Sequence, residues 1–408
     1  MINALLTTLI ALILAYVLSE IFRHFNFPRV IGQILGGIIL GVPIIKSVLI
    51  TNEIMSILSF LANIGVILLF FFVGLEISFK QFKKNFKETS LIAFFNTSIP
   101  LIAGFLVGKF LFDLNNIVSL ILGISVSVSS QSISLDILEE KKLLKSRIGN
   151  LILSTGTVDD VFELLLISSI LIVFHSSLAG QLSFQKLIID IIVFSLMVTL
   201  FKLLLVPLAL KLFQKDKSQT TLFMGALILV LLIAYLSELL GIGSLIGALI
   251  AGMLVRQTLL TGDDRKPWRK NEISHSIHII SFGFLIPIFF VNVGLNINIG
   301  TLPSNLFLLL ILILIDIIGT LAGTVIGVLI SKGTLSEGLI VGWGVIPKGD
   351  TELVIATLAL NTGLISSDIF TVIILVALFS TFLAPIAFNQ LIKKHSKIAK
   401  GIQNQRKF

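Results

Sequence analysis

The chain has 408 residues, of which 56% are apolar and 13% charged, and its mean hydropathy is +1.07. Soluble domains run at about 45–50% apolar and about 25% charged, so this composition excludes a soluble enzyme, a nucleic-acid module and a disordered protein. The formal net charge of +8 reads as basic loops on one side of a membrane, and the absence of cysteine excludes disulfides and thiolate chemistry.

Taken in chain order, thirteen apolar segments emerge, at 2–23, 28–49, 53–77, 89–112, 114–138, 147–174, 186–210, 219–240, 242–259, 273–296, 304–331, 335–360 and 367–392. Each is near the length of about 20 residues that a helix needs to cross a bilayer. Unbroken apolarity predicts helices, because barrel strands would alternate. The fold expected is an all-α polytopic membrane protein. The first segment lacks a basic start and is long for a signal peptide, so it is expected to be a retained helix.

With thirteen spans, the breaks alternate between two sides. One side collects 25 of the 30 basic residues, including Arg23, Arg29, Lys80, Lys83, Lys141, Lys142 and the tail after 393. The other has Lys46, Lys109 and Lys186, and Lys202 and Lys348 fall inside spans. By the positive-inside rule the N-terminus is expected outside, and the C-terminus, with a short basic tail at 393–408, in the cytoplasm of a cell membrane (inner or plasma).

The chain also repeats itself. VIGQILGGIILG at 30–41 is echoed by LIGALIAGMLV at 245–255, and LLFFFVGLEI at 68–77 by PIFFVNVGLNI at 287–297, at offsets of 215 and 220. The second and ninth spans lie an odd number apart, so the copies cross the membrane in opposite senses. Inverted repeats of this kind place a substrate site near the midplane between the halves.

Ionisable residues in mid-span mark function. In the sixth span, NLILSTGTVDDVFELLLISS, Asp159 and Asp160 stand near the middle with Glu163 a turn beyond. A carboxylate is a hard-oxygen ligand for a dehydrated alkali cation, and it can take a proton instead. The fifth span carries Ser125, Ser127, Ser129, Ser130, Gln131, Ser132 and Ser134, a run that suits a broken helix whose hydroxyls and freed carbonyls coordinate a cation. The twelfth span, GLIVGWGVIPKGDTELVIATLAL, is interrupted by Gly342, Gly344, Pro347 and Gly349 and holds Lys348, Asp350 and Glu352. The two interruptions are equivalent at an offset of 217–220, so crossed half-helices with charge-compensated ends are expected. Asp316, alone among isoleucines in the eleventh span, needs a partner or a proton, and its repeat mate is Asn96. Asp190, Lys202 and Glu238 lie toward span ends, and His275 and His278 lack ligand spacing. No phosphate loop or nucleophile triad is present, so neither enzymatic activity nor a cofactor is expected.

FPRVIGQILGGIILG, IGVILLFFFVGLEI, the Ser-rich span, TVDDV, IPIFFVNVGL and PKGD follow one another along essentially the whole chain as in the monovalent cation:proton antiporters. The chain resembles their Kef-like and NapA-like branch, related to antiporters of the NhaA fold. The resemblance implies a dimerising scaffold (about 1–77 and 219–296), a mobile core (about 89–174 and 304–392) and a linker helix (about 186–210). It implies that Asp160 is the obligatory ion- and proton-binding aspartate, with Asp159, Ser129, Ser130 and Gln131 beside it. Lys348, Asp350, Asp316 and Glu163 are then charge-compensating residues. The transported ions would be protons and Na+, K+ or Li+, the surroundings a lipid bilayer, and the partner a second copy of the chain, with no nucleic acid involved. Gly32, Gly36, Gly37 and Gly41 form a stripe at close-packing spacing that is expected to serve either the dimer or packing within one chain. Many relatives carry a lysine in the span that here has Asp316; Asp159 is therefore expected to pair with Lys348 or to share a proton with Asp316. The runners-up are a Kef-type K+ efflux system, which would append a cytoplasmic nucleotide-binding domain, and a non-transporting sensor.

Overall fold

A computed structural model of the chain describes residues 2–25, 27–76, 86–130, 132–144, 146–156, 158–159, 219–240, 243–259 and 277–395, with a few isolated positions between 162 and 203. Asp160, Gln131, Glu163, Asp190, Lys202, His275, the side chains of Asp136 and Asp350, most of the expected linker helix and the tail from 396 lie outside the described residues. Every element with printed bounds is a helix: α1 (Ile2–His24), α2 (Arg29–Gly41), α3 (Pro43–Leu49), α4 (Asn52–Glu76), α5 (Phe86–Leu106), α6 (Asn116–Ser127) and α7 (Ser132–Glu140). The helical residues 147–156 and 158–159, α8, follow, and then α9 (Gln219–Leu239), α10 (Ser244–Leu259), α11 (Ile286–Leu295), α12 (Leu302–Ile330), α13 (Leu335–Val345), α14 (Asp350–Asn361) and α15 (Ser367–Lys394). Among the described residues five helices are long and apolar enough to cross a membrane, or up to six if a bent pair counts as one. That pair is α2 and α3, which meet at 80°, so the second expected span is not one straight helix. Pro43, just past Val42, lacks the N–H that would continue α2 and starts α3 instead.

The chain divides into two compact units, one of 1–16, 33–77 and 165–292, the other of 17–32, 78–164 and 293–408. In the first, α4 and α10 cross with their backbones touching. A Cβ on Gly74 would strike the Leu249 carbonyl and lie 3.1 Å from the Gly252 Cα, and one on Gly252 would strike the Phe71 carbonyl. A Cβ on Gly247 of α10 would come within 2.8 Å of the Ala234 Cα of α9.

In the second unit α5 and α12, the first core helices of the two repeats, are joined by a glycine seam. Gly319, Gly323 and Gly327 of α12 lie against Pro100, Phe95–Asn96 and Ile92 of α5, and a Cβ at Gly323 would come within 2.8 Å of the Asn96 Cα. Ile92, Leu138, Ile152, Val341, Val345 and Phe388 form the apolar core beneath. At the end that the charge pattern assigns to the cytoplasm, Arg147 clamps α5 to α13. Its Nη2 donates to Glu88 at 2.7 Å and its Nε to Glu337 at 2.9 Å.

The glycine stripe of α2 is used within the chain. A Cβ on Gly32 would come within 2.5 Å of the Leu18 and Ser19 backbone in the second unit, and one on Gly36 within 3.3 Å of Leu14 and Ala15 in the first. Small residues at these two positions let α1 and α2 approach, so Gly32 and Gly36 serve packing within the chain.

The seam at Gly323 gives a first expected result. Gly323→Ala should destabilise the protein by about 1–3 kcal/mol, because the methyl meets backbone that cannot rotate away. The loss would be read as a lowered unfolding temperature of the detergent-purified protein, beside an unchanged Gly283→Ala control, where a Cβ meets nothing within 4 Å.

Candidate functional site: two broken helices and their carboxylates

The expected interruptions are real. α6 stops at Ser127 and α7 starts at Ser132; α13 stops at Val345 and α14 starts at Asp350. In the first break the polar run of serines offers the backbone alternatives to the helical ladder, and in the second Pro347 cannot donate to it. The breaks touch: the Ser130 N–H donates to the Pro347 carbonyl at 2.7 Å. A Cβ on Gly349 would come within 2.9 Å of the Ser130 Cβ, so glycine permits the crossing.

Lys348 joins both half-helices. Its ammonium donates to the carbonyls of Val126 at 2.9 Å and Val128 at 2.6 Å, and lies 2.8 Å from Asp316 Oδ1. The Val126 carbonyl belongs to the last turn of α6, where carbonyls lack helical partners and the dipole is negative. A buried cation there satisfies both needs. The Thr381 hydroxyl of α15 accepts the Lys348 N–H at 3.0 Å and donates to its carbonyl at 3.2 Å, holding the second break.

Asp159, fully buried, is surrounded by neutral donors. Nδ2 of Asn96 donates to its Oδ2 at 3.0 Å, and the hydroxyls of Thr97 and Ser129 donate to its two oxygens. Asp316, also fully buried, is paired with Lys348 and accepts the Ser380 hydroxyl. Neither expected arrangement of Asp159 therefore occurs: Lys348 pairs with Asp316, and Asp159 is held by Asn96, Thr97 and Ser129. Asp316 on α12 reaches Lys348 because that helix turns it toward the break.

The two halves answer each other residue by residue. Asp316 stands 220 after Asn96, Lys348 stands 220 after Val128 and Ser380 stands 221 after Asp159. In the first half the amide is on the first core helix and the acid on the last; in the second half the acid is on the first and the hydroxyl on the last. Thr97, Ser380 and Thr381 were not singled out in the sequence; the offset of 220 carries Asp159 to Phe379, one residue short of Ser380. Of the remaining expected site residues, Ser129 contacts Asp159 and Ser130 contacts the other break. Asp350 opens α14, with its side chain outside the described residues. Asn96 Oδ1, Ser125 Oγ and Thr155 Oγ1 are buried oxygens without a hydrogen-bond partner among the described residues. No cluster of three His, Cys, Asp or Glu side chains suited to a metal occurs among those residues.

Asp159→Asn retains volume, and the surrounding hydroxyls can rotate to suit an amide. It should fold normally and lower cation affinity by about 1–2 kcal/mol, roughly tenfold, because a negative charge beside the cation is lost. Equilibrium binding of the alkali cation to the purified variant reads this directly.

Comparison with known proteins agrees with this architecture. The family model described as "Sodium/hydrogen exchanger, transmembrane" matches residues 8–394. A Na(+)/H(+) antiporter of Enterococcus hirae is 29% identical over 380 residues, covering 92% of this chain and 94% of that protein. Probable Na(+)/H(+) antiporter 3 of Methanocaldococcus jannaschii is 30% identical over 400 residues, covering 96% and 98%. The solved structure of the sodium proton antiporter MjNhaP1 from M. jannaschii at pH 8 shares the fold, with a TM-score of 0.68 over 97% of each chain at 18% identity. The chain is a multi-pass membrane protein, and it belongs to the sodium/hydrogen exchanger family.

Proposed function

We propose that the protein exchanges a monovalent cation, Na+ first, for protons, by alternating access at a carboxylate site on the first broken helix. The observation that carries this reading is the setting of Asp159. It is a buried acid beside the α6–α7 break, held by three neutral donors, with its basic neighbour Lys348 committed elsewhere. Asp160 is the residue proposed to carry ion and proton in turn. At the offset of 221 that relates Asp159 to Ser380 its counterpart is Thr381, whose hydroxyl bonds both backbone groups of Lys348 at the second break. Asn96 Oδ1, Ser129 and Ser130 are hard oxygens suited to an alkali ion in the same region. Gln131 is assigned to the ion path, and Glu163 and Asp350 to charge compensation. No cofactor is required, since the chemistry is displacement of one cation by another.

The segments around 1–77 and 219–296 are assigned to a scaffold and those around 89–174 and 304–392 to the mobile core. The protein is placed in a cell membrane with its N-terminus outside. A homodimer is proposed through α1, which presents Leu5, Leu9, Ile13 and Tyr16 outward along one face. Single cysteines introduced there should cross-link in membranes without background, as the chain has none; monomer alone would oppose the dimer. Reconstituted vesicles test the exchange itself. An imposed Na+ gradient should drive counterflow of protons that a K+ or Li+ gradient drives more weakly, and no proton movement with any of the three would defeat the reading.

A further inference from the structure

Among the described residues of the second unit, five ionisable ones are buried: Asp159, Asp316, Glu337, Lys348 and Glu352. Four of them are answered by partners already described, and the fifth is not. Glu352 of α14 has no exposure, and neither of its carboxyl oxygens has a hydrogen-bond partner among the described residues. Lys348 is committed elsewhere, its ammonium donating to the Val126 and Val128 carbonyls and lying 2.8 Å from Asp316 Oδ1. A lone ionised carboxylate in such a place is costly, whereas the neutral acid is tolerated.

Its place in α14 supplies the other half of the argument. Glu352 is the third residue after the cap Gly349, which has no side-chain oxygen to offer the helix start. Glu337 stands at the same position in α13, and there Oε2 accepts the Thr334 N–H at 2.8 Å, closing a capping box. The capping-box position thus offers an ionised Glu352 a destination, at the positive end of a half-helix that begins at the crossing.

We propose that Glu352 is a second proton-carrying carboxyl of the core, loaded while its oxygens are unpartnered and unloaded as it turns to cap α14. The acid O–H bond breaks, the proton leaves to water on the side the site then faces, and the carboxylate remains; reloading is the reverse. The charged groups acting on it are Lys348 and Asp316. Of the helices packed on α14, α6 has no titratable residue and α15 carries Asp368, Lys393 and Lys394 only near its ends. Asp350 lies on α14 itself.

This inference rests on the antiport reading, and the test separates the two. In vesicles, the reversal potential of the wild-type protein should report one more proton per cation than that of Glu352→Gln, with exchange itself retained. The same stoichiometry in both would overturn the proposal. Infrared difference spectra of the wild-type protein, taken on addition of Na+, should lose the carbonyl bands of two protonated carboxyls. Glu352→Gln removes one band, and Glu352→Asp shifts it if the amide variant fails to fold. A single band in the wild type overturns the proposal without any variant. Two bands without proton-coupled flux would defeat the antiport reading and leave Glu352 as a titrating group.

Discussion

Asp160→Asn should reduce exchange to the background of protein-free vesicles while the protein still folds. The amide matches the carboxylate in volume and can accept and donate hydrogen bonds, so packing has no reason to change. The charge that compensates a dehydrated cation is gone, and so is the group that gives up a proton for it. On the proposed assignment both halves of the cycle need that one titrating oxygen pair, so neither half runs alone. The contrast with Asp159→Asn is the informative part. Asp159 already has three donors and acts by holding its neighbour's surroundings negative, so its loss weakens the site without removing the exchange. Unaltered monodispersity and unfolding temperature for Asp160→Asn, beside absent flux, are the expected readings. Flux at the wild-type rate would take Asp160 out of the site.

Lys348→Met should be the most destabilising single change in the core. Removing one member of a buried ion pair strands the other, at about 3–5 kcal/mol. The carbonyls of Val126 and Val128 also lose their donor, at about 1–3 kcal/mol for each group left unsatisfied. Adding Asp316→Asn to Lys348→Met removes the stranded charge and should recover part of the unfolding temperature. Exchange should stay impaired in the double variant, since the ammonium that joins the end of α6 to the second break is gone and only the Ser130–Pro347 backbone bond remains. Asp316→Asn alone should cost less, because Lys348 keeps two carbonyl acceptors. The non-additivity of these variants is the signature of a closed pair. Simple additivity would mean that Lys348 and Asp316 do not touch.

Much of this arrangement was legible in the chain. Serines at 125–134 and the Gly-Pro-Gly run at 344–349 announce interrupted helices because each residue type weakens the helical ladder in a known way. The offset of 220 announces that the interruptions correspond. Which charges meet was not legible. Asp316 and Lys348 are separated by a whole helix, and their pairing depends on the face that α12 turns inward, which the Gly319–Gly323–Gly327 seam against α5 decides. Isoleucines on both sides of Asp316 hide that face, because a lipid-facing and a core-facing isoleucine read alike. Asn96 was visible as the repeat mate of Asp316, but its role as donor to Asp159 required the fold. The α2 glycines carried the opposite lesson. Their spacing signals close approach, and spacing alone does not say whether the neighbour is the same chain or another; here Leu14, Ala15, Leu18 and Ser19 are that neighbour.

Binding of Na+ to the purified protein as a function of pH tests most directly whether cation and proton contend for Asp160. Titrated calorimetrically across acid to alkaline pH, the wild-type protein should bind more weakly as pH falls and release protons as Na+ enters, and Asp160→Asn should show neither effect. Na+ affinity independent of pH, or binding by Asp160→Asn with the wild-type pH dependence, would contradict a shared site.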